Sequence, residues 1–80
     1  MRVESPAENQ EIDSLKVNVK GETDPSVTLI IDSKEVPVET DGSFEKEITV
    51  FPGESVISIS VENRFGRITT VERKILVKPN

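Results

Sequence analysis

There is no cysteine, histidine, tryptophan or tyrosine in this 80-residue chain, and its only aromatics are Phe44, Phe51 and Phe65. Those absences remove chemistry. Without a thiolate or an imidazole there is no disulfide framework, no Cys/His metal site and no histidine base. A cysteine-free chain is compatible with either side of a membrane. Basic residues are in the minority: ten Lys and Arg stand against fifteen Asp and Glu, for a formal net charge of -5, and the cations are scattered. Such a surface repels a phosphate backbone and argues against nucleic-acid binding. Long apolar runs are also missing. No aliphatic run exceeds three residues, the length of Leu29-Ile30-Ile31, which is far below the roughly 20 residues that span a bilayer as a helix. The first residues carry no charged region followed by an apolar run, so no secretory signal is expected. Met1 reads as an added start and residues 1–80 as a single domain excised from a larger protein.

What is present is alternation. Within 53–66, Ile57, Ile59 and Val61 alternate with Ser58, Ser60 and Glu62, so one face is aliphatic and the other wet. That is the period-two signature of a half-buried strand, and one so regular belongs near the middle of a sheet. Residues 14–20 repeat the pattern, with Leu15, Val17 and Val19 inward. In 26–32 Val27, Leu29 and Ile31 point inward, while Ile30 points the other way and implies cover on both faces. A short strand over 35–38 contains Pro37, which places it at an edge. In 43–50 Phe44, Ile48 and Val50 share a face that Lys46 interrupts, tolerable near an edge where the ammonium can reach water. Residues 1–4, with Val3 inward, form another strand, and 7–13 reads as a polar connection. The last strand, 67–77, has Ile68 on one parity and Val71, Ile75 and Val77 on the other, which a bulge near Thr69 or Thr70 would reconcile.

No window shows helical spacing of apolar residues. About seven short strands with turn signals roughly every eight to twelve residues predict an all-β, immunoglobulin-like β-sandwich of antiparallel strands, with a small barrel as the competitor. A chain this short buries only roughly 60 to 65% of its unfolded surface, so the core is thin and rests on Val, Ile and Leu.

Several pieces together carry a family likeness: Ser5-Pro6-Ala7-Glu8-Asn9, Val19-Lys20-Gly21-Glu22-Thr23-Asp24-Pro25, Val36-Pro37-Val38, Asp41-Gly42-Ser43-Phe44, Gly53-Glu54, Ile57, and Asn63 with Gly66. In order and spacing they resemble the bacterial immunoglobulin-like modules related to glucodextranase domain B, across nearly the whole chain. The resemblance implies a fibronectin type III-like sandwich and a role as a spacer or adhesive unit within a larger surface or secreted protein. It implies no catalytic residues. The chain departs from the pattern at Arg64-Phe65 and at Lys46.

If the strands alternate up and down, the connections 21–25, 39–42 and 63–66 fall at one end and gather Glu22, Asp24, Glu39, Asp41 and Glu62. Oxygen-rich loops suit calcium, which makes Glu22, Asp24 and Asp41 its candidate ligands. The alternative is that Asp24 and Asp41 are turn residues bonding their own backbone, and no run has several ligands at the fixed offsets of a calcium loop. Arg64, Phe65 and Arg67 form the second candidate, since an aromatic between arginines has the composition of an interface hot spot. The alternative is that the Phe65 ring folds back as a lid over the core. Carbohydrate binding lacks the Trp and Tyr platforms that sugar sites use, and paired carboxylates or a Ser-Lys pair have no pocket to work in on so thin a domain. Asn-x-Ser/Thr is absent. The chain is therefore expected to be a non-enzymatic structural spacer without cofactor, extracytoplasmic and monomeric in isolation, with neighbouring domains as partners and no membrane insertion. The rivals are a protein-binding module using the Phe65 loop or the 35–38 edge, and a calcium-stabilised module.

Overall fold

The computed structural model describes residues 1–79. Its elements are β1 (Arg2–Ser5), β2 (Gln10–Ile12), β3 (Lys16–Glu22), β4 (Thr28–Ile31), β5 (Lys34–Val36), β6 (Ser43–Thr49), β7 (Gly53–Glu62) and β8 (Ile68–Val77), with no helix among the described residues. They form a three-stranded sheet in the order β1-β3-β6 and a five-stranded sheet in the order β2-β8-β7-β4-β5. The architecture is the expected immunoglobulin-like sandwich. β7 holds the centre of the larger sheet, as its unbroken alternation requires.

Between the sheets lies a core of Val17, Val19, Leu29, Ile31, Val36, Phe44, Val50, Ile57, Ile59, Val61, Ile75 and Val77. Phe44 is its only aromatic, and Val3, Ile12 and Ile48 pack against its margins. β3 shows how the pattern drives the fold: Val17, Val19 and Gly21 are buried while Lys16, Asn18, Lys20 and Glu22 are exposed. The Lys46 side chain, in an inward slot opposite Val19, is exposed because β6 is a sheet edge. Asp32 and Ser33 both have positive φ, 48° and 70°, the geometry of a two-residue hairpin turn. They join β4 to β5, which Pro37 then ends by lacking a backbone donor. β5 is an edge, as expected.

Four expectations are corrected. There are eight strands, because the polar connection over 7–13 contains β2, which pairs parallel with β8 through Gln10 opposite Ile75 and Ile12 opposite Val77. Three residues are too few to show alternation. The last strand has no bulge near Thr69 or Thr70: β8 pairs with β7 in one continuous register from Glu62 opposite Ile68 to Gly53 opposite Val77. The parity conflict arises because Ile68 faces solvent and is 62% exposed, while half-buried Arg73 takes an inward slot opposite Ile57 between Val71 and Ile75. Leu15 is not inward either. It lies just before β3 and is exposed, and its carbonyl receives the Val50 N–H at 2.7 Å.

The domain is elongated, 42 × 20 × 18 Å. One end carries 23–26, 37–42 and 63–67, and β1 begins there with Arg2 opposite Glu22. The other end carries 13–15 and 50–52, and β8 finishes there with Val77 opposite Gly53. First and last strands therefore meet solvent at opposite ends of the long axis.

Candidate functional site

The acidic end is built from turns that fix their own side chains. Thr23 donates its N–H to the Gly42 carbonyl at 2.7 Å, which carries the β3–β6 ladder one pair beyond Glu22 and Ser43 and ties the 23–26 and 37–42 connections together at the end of the three-stranded sheet. Asp24 Oδ1 accepts from the Ser26 N–H at 2.9 Å and the Ser26 hydroxyl at 2.8 Å. Asp41 Oδ1 accepts from the Ser43 N–H at 2.9 Å and the Ser43 hydroxyl at 2.7 Å. Glu22 faces Arg2, whose Nη2 lies 3.2 Å from its Oε2 and 2.8 Å from Glu4. The expected gathering of these connections at one end is present. The carboxylates do not converge: among the described residues no three acidic groups come together around a common point.

Hydrogen bonds to Ser26, and the nearby Arg64 guanidinium, hold the Asp24 carboxyl below its ordinary range. Asp41 is lowered in the same way by the hydroxyl and N–H of Ser43. Because both groups are depressed in the folded state, the unfolded chain takes up protons first as pH falls, and stability drops from the ordinary carboxyl range near 3.8 downward. Above about pH 5 these two groups leave stability flat. Asp24→Asn with Asp41→Asn is expected to flatten the acid limb of a melting-temperature profile taken between pH 2 and 6. An unchanged limb would mean that other carboxylates set it.

The 63–67 tip is a three-residue hairpin loop. Gly66 donates to the Asn63 carbonyl at 3.0 Å and Asn63 donates to the Arg67 carbonyl at 3.0 Å, with Gly66 at φ 81°. That is a type I turn closed by a left-handed residue. The Asn63 side chain locks it, Oδ1 accepting from the Phe65 N–H at 2.9 Å and the Arg67 N–H at 3.0 Å. Phe65 is 81% exposed, so the ring does not fold back as a lid. The Arg64 guanidinium lies over it, 5.0 Å from the ring centre. Arg64, Phe65 and Arg67 thus stand together on a tip beside the acidic loops, and Ile68, the first residue of β8, is also exposed. Ile68 escaped sequence reasoning because it was assigned to a bulged strand rather than to an outward slot. Phe51, 78% exposed, caps the opposite end of the molecule. Nothing in its turn chemistry, Phe51-Pro52-Gly53, distinguishes a core aromatic from a surface one.

No protein-family model matches this sequence, and no curated protein matches it. Among solved structures the chain is similar to the fibronectin(III)-like modules of CbhA from Clostridium thermocellum, with 18% identity and a TM-score of 0.66 over 98% of this chain and 95% of that one. The likeness shows a fibronectin III-like, immunoglobulin-like sandwich and locates no site.

Proposed function

We propose that this domain is a non-enzymatic spacer in a larger extracytoplasmic protein, a bacterial immunoglobulin-like module of the kind related to glucodextranase domain B. The observation that carries this reading is axial. The first strand begins at one end of a 42 Å body and the last finishes at the other. Chains attached at those points are held apart by the length of two hydrogen-bonded sheets. Glu22, Asp24 and Asp41 are engaged within their own surroundings, which supports a surface that separates domains rather than one that binds a small ligand. The partners are the neighbouring domains, the module alone is a monomer, and neither nucleic acid nor a membrane interior is involved.

The test is an amide-resolved NMR titration with calcium and then with a panel of oligosaccharides. The spacer reading expects no site-specific shift. Shifts confined to Glu22, Asp24, Asp41 and Asn63 would overturn it in favour of a ligand-binding end.

A second reading is favoured by the exposure of Phe65: the Arg64-Phe65-Arg67 tip anchors a protein partner. An aromatic this exposed stabilises little, so Phe65→Ala is expected to change unfolding stability by less than about 1 kcal/mol. A denaturant melt checks it. A loss of several kcal/mol, the range for core aromatics, would show that the ring is core in solution and would remove the anchor.

A further inference from the structure

We propose that the free edge of β6 receives an extended strand from another protein, one with basic residues at alternate positions around an acidic one. β6 is seven residues long and, among the described residues, pairs only with β3. Outside the ladders, its backbone bonds among the described residues involve only Ser43, through the carbonyl taken by Glu39. The edge strand of the opposite sheet, β5, has three residues. An open groove of about 300 Å³, lined in part by Ile31, Lys34, Val36, Lys46 and Ile48, runs between the two edges. An unpaired row of donors and acceptors beside a groove that offers both aliphatic and charged side chains is what strand addition uses.

The charge pattern decides which strand fits. Two copies of this domain related by a two-fold axis must match like faces of β6 across an antiparallel pairing. In the fully overlapping register Lys46 meets Lys46 and Glu45 meets Glu47; with the register shifted by two residues either way, the next that keeps like faces together, Glu45 or Glu47 meets its own copy. Like charges directly opposite destabilise a sheet pair, so the strand rejects itself while keeping its backbone edge free. A different strand meets no such penalty. β3 shows on the paired side what satisfies β6: Lys20 lies opposite Glu45, and the Lys16 ammonium is 3.7 Å from Glu47. On the open side the complementary strand places Lys or Arg opposite Glu45 and Glu47. On the inner face it places apolar residues opposite Phe44 and Ile48 and an acid opposite Lys46. Lys34 and Lys46 have no ion-pair partner among the described residues, whereas Asp32 in the same groove is occupied by the Ser58 N–H at 3.0 Å. The groove thus has cationic groups free to meet that acid.

The deciding experiment titrates the ¹⁵N-labelled domain with a blocked peptide, Ser-Thr-Val-Lys-Glu-Lys-Val-Thr-Ser, and with a scrambled peptide of the same composition. The expected result is shifts centred on 43–49 with the ordered peptide only, weakened about fivefold or more by Glu45→Lys. No shift on β6, or equal shifts from the scrambled peptide, overturns the proposal. A second variant tests the self-exclusion. Glu45→Lys with Lys46→Val puts lysine opposite glutamate and valine opposite valine in the fully overlapping register. Sedimentation equilibrium is expected to find the wild-type chain monomeric and this variant dimeric. A folded variant that stays monomeric at millimolar concentration overturns the argument that charge, and not an inaccessible edge, keeps β6 from pairing with itself.

Discussion

Replacing Ile59 by alanine is expected to lower the unfolding free energy by about 3 kcal/mol, within the range of roughly 2 to 5 kcal/mol for truncating a buried isoleucine. Ile59 is fully buried on the central strand, with Ile31 opposite it on one side and Val71 on the other. Those flanking strands hold its neighbours in register, so the space left by the side chain collapses little. A domain of this size has only about 4 to 12 kcal/mol of total stability, and about 3 kcal/mol is therefore a large share. For so small a domain the melting temperature should fall by roughly 10 to 25 °C. Ser60, one position on, points outward and shares only an exposed 3.0 Å hydrogen bond with Thr70. Ser60→Ala should therefore change stability by less than about 0.5 kcal/mol. Denaturant melts of the two variants measure the contrast. Equal losses would contradict the assignment of faces on β7.

That contrast was legible before any coordinates, because strict alternation at Ile57, Ile59 and Val61 leaves only one way for β7 to bury an aliphatic face. The same logic placed β3, and Pro37 marked an edge through its missing donor. Where alternation fails, legibility fails with it. β2 is three residues long and two of them are exposed. Its assignment depends on the Asn9 N–H meeting the Lys74 carbonyl at 2.7 Å and the Lys78 N–H meeting the Ile12 carbonyl at 2.8 Å, contacts between opposite ends of the sequence. In β8 an outward isoleucine and an inward arginine exchange the usual signals, so an unbroken ladder looked bulged. The acidic end was legible as a location but not as a geometry. Sequence brought Glu22, Asp24 and Asp41 to one end; the serines two residues after each aspartate decided what the aspartates bond. Phe65 was visible as an anomaly, and only its position beyond the core separates an exposed tip from a lid.

Gly42→Ala is expected to be the most disruptive of the glycine substitutions that share its backbone conformation, because two turns of the same design provide an internal comparison. In each, a residue three positions earlier accepts the glycine N–H: Glu39 for Gly42 at 2.9 Å and Asn63 for Gly66 at 3.0 Å. In each, that earlier residue donates to the one after the glycine, Ser43 at 2.9 Å and Arg67 at 3.0 Å. Both glycines have positive φ, 90° and 81°, so a side chain at either costs about 1 to 2 kcal/mol of conformational energy. A less flexible unfolded chain offsets part of that, by about 0.4 to 1 kcal/mol. The surroundings differ. A Cβ on Gly66 would meet open space, whereas a Cβ on Gly42 would drive into the Thr23 carbonyl. Backbone cannot swing aside as a flexible side chain does. Relief of the clash moves the 23–26 connection and lengthens the 2.7 Å bond from the Thr23 N–H to the Gly42 carbonyl that closes the end of the β3–β6 ladder. Gly66→Ala should therefore lose about 1 kcal/mol and Gly42→Ala about 3 kcal/mol or more, the difference coming from overpacking. Thermal melts of both variants, with Gly53→Ala as a further open-space control at φ 104°, measure it. Equal losses at the three positions would mean that the two connections are not packed together in solution, and with them would go the rigid end against which a spacer must push.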